Sequence, residues 1–74
     1  MRHEVTEWAL IRRINRKLKR EWERLRKTRG GWSLDLGHYY IVDEYRNMIV
    51  ATDVDLESLG REVGALAPHE VFAP

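Results

Sequence analysis

The segment "RRINRKLKREWERLRKTRGG", Arg12 to Gly31, carries ten Lys or Arg residues against two Glu. It makes up 20 of the 74 residues, so the structure assigned to it decides the fold. Taken with the residues before it, apolar side chains recur at intervals of three and four: Trp8, Ile11, Ile14, Leu18, Trp22 and Leu25. That period lines them along one face of a helix with about 3.6 residues per turn. Thr6 suits the N-cap, Glu7 complements the positive end of the helix dipole, and "RKTR" before Gly30 and Gly31 supplies a basic close and a stop. The pattern predicts one helix from about residue 6 to about residue 29, roughly 35 Å long at 1.5 Å per residue.

Working outward, "GHYYIVD" and "NMIVATD" have the aromatic and β-branched character of strands and flank a polar loop at residues 44–47. They read as an antiparallel hairpin over about residues 36–53. "DVDLESLGREVG" follows, with Asp55 as N-cap, Val54 placed to staple against Leu59, and Gly64 as terminator, which predicts a short helix over about residues 55–63. The tail, residues 65–74, holds Pro68 as a breaker and either lies on the body through Leu66, Val71 and Phe72 or frays. The expected fold is a small α+β domain of order αββα spanning 1–74, with the long amphipathic helix packed on a two-stranded hairpin. Tyr39 and Ile41 then share one face of the hairpin, Tyr40 and Val42 the other. Either each face takes a helix, or both helices share one face and the other face or the sheet edge meets a second copy or another protein.

A net charge of +1 conceals a strong polarity. Residues 1–31 hold eleven Lys and Arg against four Glu, a net +7, and residues 32–74 hold two Arg against eight Asp and Glu, a net −6. Such asymmetry points to a charged partner. On the predicted helix the doublets Arg12–Arg13, Lys19–Arg20 and Arg26–Lys27 recur every seven residues with Arg16 beside them, a stripe of positive charge about 10 Å per repeat. These seven residues are the candidate contacts to an anionic partner, with Trp32, Tyr39 and Tyr40 as candidate aromatic contacts. The plain alternative is a solvated helix face whose charge the acidic half offsets, within one molecule or across a homodimer formed by basic-to-acidic contacts or through the hairpin.

Other chemistry is sparse. Cysteine is absent, which excludes disulfides, thiolate zinc sites and thiol catalysis. His3, His38 and His69 show no metal-ligand spacing, "DVD" is explained by the Asp55 cap, and Gly30–Gly31 follow a helix instead of preceding one, so neither metal, cofactor nor phosphate loop is expected. Ser33 and Ser58 lack a neighbouring base, and no enzyme activity is expected. No apolar run approaches the roughly 18 residues of a membrane span, and the expectation is a cytoplasmic protein without membrane contact.

The stretch "LGHYYIVDEYRNMIVATDVDLESLGREVGAL", Leu36 to Leu66, and less closely "RINRKL" in the first helix, resemble short bacterial accessory proteins of phages and other mobile elements. That group has no functionally defined family, so the resemblance transfers no site residues. It implies a small accessory protein, and size alone brings in inhibitors of host defence such as anti-CRISPR proteins. Two functions stand as expectations: binding of a nucleic-acid backbone through the basic helix face, or inhibition of a nucleic-acid-handling or defence complex by binding an acidic protein surface.

Overall fold

The computed structural model describes residues 3–29 and 36–73. In chain order these form β1 (His3–Thr6), α1 (Glu7–Leu18), a 3-10 turn (Lys19–Glu21), β2 (Glu23–Lys27), β3 (Tyr39–Asp43), β4 (Met48–Ala51), α2 (Leu56–Glu62) and β5 (Glu70–Ala73). The fold is small α+β, as expected, but its order is not αββα.

The long helix is the main correction. Thr6 does cap α1, its hydroxyl accepting from the Ala9 amide at 3.2 Å. The helix nevertheless ends at Leu18, tightens through one 3-10 turn, and stops at Trp22, whose φ of 59° is left-handed. Beyond it the chain turns back as β2 along β3. Spacing misled here because Trp22 and Leu25 satisfy a helical interval, whereas "ERLRK" also alternates. Alternation places Glu23, Leu25 and Lys27 toward α1, with Leu25 only 2 % exposed, and Arg24 and Arg26 on the opposite face. The apolar face of α1 shifts as well: Leu10, Ile14 and Leu18 are buried, while Trp8, expected in the stripe, is 68 % exposed.

Asn15 fixes the fold-back. Its Oδ1 accepts from the Leu25 amide at 2.7 Å and its Nδ2 donates to the Leu25 carbonyl at 3.3 Å. The side-chain amide thereby acts as a neighbouring strand would, satisfying the free edge of β2. Glu7 clamps the other end, binding the Lys27 ammonium at 2.7 Å.

The β3–β4 hairpin is present, but β2 joins it, so the sheet has three antiparallel strands in the order β2-β3-β4 rather than two. Leu25 pairs with Ile41 and Lys27 with Tyr39. Leu25 and Ile41 enter the core from the sheet, joined by Leu10, Ile14, Leu18, Leu56 and Leu66. Arg24, Arg26, Tyr40, Val42 and Ile49 lie outside that core among the described residues. The molecule is 15 Å through its thinnest axis, the depth of one sheet and one helical layer.

The short helix is close to expectation. Asp55 caps α2, accepting from the Ser58 amide at 2.9 Å, and Gly64 follows at a left-handed φ of 78°. Gly60 permits the helices to approach, since a Cβ there would stand 3.0 Å from a Leu10 methyl. The tail does not fray: β5 pairs in parallel with β1, a strand that periodicity alone did not reveal. Glu70 locks this second, two-stranded sheet to α1. Its carboxylate accepts from Arg13 Nη1 at 2.9 and 3.0 Å and from the Ala67 amide at 2.9 Å.

Candidate functional site

Folding the basic segment back on itself replaces a straight stripe with a two-walled valley. Two adjoining grooves, which share Asn15 and Arg24, follow the seam between α1 and the free edge of β2. Arg12, Arg16 and Lys19 line the helix wall, at spacings of four and three that keep them on one face. Lys27 borders the strand wall on the α1 side, and Arg24, Arg26 and Arg29 line its rim, Arg24 and Arg26 with side chains that leave from the outer face of the sheet. Glu23 and Glu44 are the carboxylates in this lining. Glu44 approaches Arg24 at 3.9 Å, with both side chains more than half exposed, so the pair neutralises little.

The candidate cations therefore divide. Arg12, Arg16 and Lys19 reach the valley, whereas Arg20, the next residue on the 3-10 turn, is exposed but does not line it. Arg26 also reaches it, but from the strand wall. Lys27 lines it while bound to Glu7. Arg13 does not belong to the line: it points to the β1/β5 side, held by Glu70 and donating also to the Ala65 carbonyl at 3.4 Å. The seven-residue repeat of doublets does not exist as a helical stripe, because its third member, Arg26–Lys27, is in a strand.

The aromatic candidates divide as well. Tyr39 packs against the core, and burial first, then hydrogen bonding to Glu7, push its hydroxyl up to about 12. Glu7 is correspondingly held below its ordinary range, chiefly by its hydrogen bond to Lys27. Tyr40 is half-buried on the outer sheet face, opposite Arg26. Trp32 lies outside the described residues. Among the described residues the aromatics that are open to solvent are others: Trp8, with the Arg12 guanidinium 4.6 Å above its ring, and Trp22 with Tyr45.

Sequence reasoning missed Arg24, Arg29 and Asn15. The signal for Arg24 was present in the alternation of "ERLRK", which puts an arginine on either side of Leu25. Asn15 carried a weaker one, as a polar residue next to the buried Ile14. No group of three or more His, Asp or Glu side chains suited to a metal forms among the described residues. No helix among them is long and apolar enough to cross a membrane. Neither a protein-family model, nor a curated protein, nor a solved structure matches the chain, so the residues alone carry the functional argument.

Proposed function

We propose that the protein is a non-enzymatic binding protein whose basic valley receives the phosphate backbone of a nucleic acid. One observation carries this reading: the valley collects cations from two different elements, and among the described residues only Lys27 is held in a short ion pair, to Glu7, and Arg24 in a loose one, to Glu44. Concentrating like charges along one seam works against folding, and a chain with eight acids in its second half had the means to neutralise them. Phosphates spaced along a strand would satisfy such a row, with Arg supplying forked donors and Lys point charges. Asn15 is engaged with Leu25, and a row of cations suits phosphates more than base edges, so the proposed contacts are chiefly to backbone. An accessory role on a mobile element is compatible with this activity and is part of the proposal.

The test is fluorescence anisotropy with short single- and double-stranded DNA and RNA across a series of salt concentrations. Binding that weakens along a straight log–log line supports the reading, since counterion release imposes that form. Absence of binding even at low salt removes it and leaves the valley to an acidic protein surface, the inhibitor function.

A further inference from the structure

A second conspicuous surface adjoins the valley. Trp22 and Tyr45 are 66 % and 78 % exposed, with ring centroids 6.1 Å apart and planes tilted by 58°. Their cleft is completed by Glu21, Glu23, Asp43 and Arg46, so it is acidic overall. The Glu44 amide donates to the Trp22 carbonyl at 2.8 Å, which fixes the strand start against the hairpin turn. Trp22 gains little from burial and holds a left-handed backbone that bulky side chains disfavour. Its ring therefore owes its place to something other than the core.

The cleft shares Glu23 with the valley, so an acidic-aromatic strip and a cationic strip lie side by side. Strips of opposite sign set edge to edge can complement themselves under a two-fold rotation, each strip of one copy meeting the opposite strip of the other so that the same contacts occur twice. We propose that a second copy of this chain docks here. Arg16 and Lys19 of one protomer face Glu21 and Glu23 of its partner, with the Arg16 guanidinium and the Lys19 ammonium placed against the Trp22 and Tyr45 rings, where cations are attracted to the aromatic face. A nucleic acid is the wrong occupant for the acidic strip, and an unrelated basic protein would leave the adjacent valley unused. A second copy satisfies both at once. The inference shares the valley with the nucleic-acid reading but does not rest on it.

Sedimentation velocity on the isolated protein tests it. At low ionic strength, where the Debye length is roughly 30 Å at 0.01 M, the mass should double with rising concentration, and it should return to the monomer at high salt. Arg16→Glu with Lys19→Glu, and separately Glu21→Lys with Glu23→Lys, should each yield monomers. Mixing the two variants should restore a dimer, because both interfaces of the heterodimer regain opposite charges. That recovery also shows that both variants are folded. Trp22→Ala should weaken association without abolishing it. A monomer at low salt up to millimolar concentration overturns the proposal. So does a dimer indifferent to salt and to both reversals, or a mixture that stays monomeric.

Discussion

Removing one cation from each wall of the valley gives the sharpest test of the binding function. Arg16 belongs to α1 and Arg24 to β2, and both side chains are exposed, so Arg16→Ala and Arg24→Ala should each leave folding stability within about 0.5 kcal/mol. Of the seven cations that line the valley, Lys27 is taken by Glu7 and Arg24 is only loosely approached by Glu44, so about six are open to phosphate. For a single strand, each neutralised phosphate adds about −0.7 to the slope of log affinity against log salt, which predicts a slope of about −4.2 for the parent. Each substitution should flatten it by about 0.7. A charge pair near 4 Å in water-like surroundings is worth about 1 kcal/mol, hence about a fivefold loss of affinity per substitution. The double variant should flatten the slope by about 1.4, because residues on separate walls meet separate phosphates. Arg46→Ala, a cation outside the valley, is the control and should leave the slope as it was. Anisotropy titrations at four or more salt concentrations measure all of this. If Arg46→Ala flattens the slope as much as Arg16→Ala does, positive charge acts diffusely and the valley is not a site.

Three further outcomes are expected. Asn15→Ala strips the partners from both backbone groups of the buried Leu25 and should cost about 2 kcal/mol in urea unfolding; a loss under about 0.5 kcal/mol would show that the clasp does not hold β2. Glu70 is held below its ordinary 4.5, first by the Ala67 amide and then by Arg13, so its contribution is complete above that value and is lost as pH falls through the lower folded value. Glu70→Gln should flatten the decline of stability below about pH 4.5, and an unchanged acid limb in urea titrations would refute the lock. Tyr39 runs the opposite way: its raised value gives stability that is complete below 10 and lost as pH rises through about 12, so Tyr39→Phe should remove that alkaline decline when unfolding is followed by circular dichroism.

How much of this was legible in the residues varies with the kind of signal. Capping is local chemistry, and Thr6 and Asp55 both stand where the sequence placed them. The hairpin was legible because "YYIV" and "MIVA" admit no helical alternative of comparable quality. The end of α1 was not, since Lys, Arg, Glu and Leu are all good helix formers and nothing in "KREWERLRK" breaks a helix by composition. What ends it is tertiary: the sheet offers Leu25 a place beside Ile41, and Asn15 is near enough to bind the returning strand. A weak local preference yields to that burial. The β1/β5 pair was hidden for a related reason, being parallel and joining segments more than 60 residues apart. Trp8 and Trp22 were placed on the apolar stripe by their spacing, yet apolar residues on a surface are ordinary and only their grouping is informative.

The turn at Trp22 also changes what the charge polarity of the chain means. On a continuous helix the +7 half would present cations along a single line, and the −6 half would lie elsewhere as a counterweight. With β2 folded back, part of the acidic half is drawn against the basic half: Glu70 takes Arg13 and Glu44 approaches Arg24, while Glu7, from the basic half itself, takes Lys27. These contacts join elements, and they spend the cations that the fold needs. The remainder is sorted by geometry, with Arg12, Arg16 and Lys19 on the helix wall and Glu21 and Glu23 next to the Trp22–Tyr45 pair. If nucleic acid and a second copy both use that wall, they compete for Arg16 and Lys19. Each ligand that binds only one state draws the equilibrium toward that state by mass action. Oligonucleotide added to the dimer at low salt should therefore release monomers in proportion to the valley it fills, and a dimer that binds oligonucleotide without dissociating would show that the two surfaces are separate.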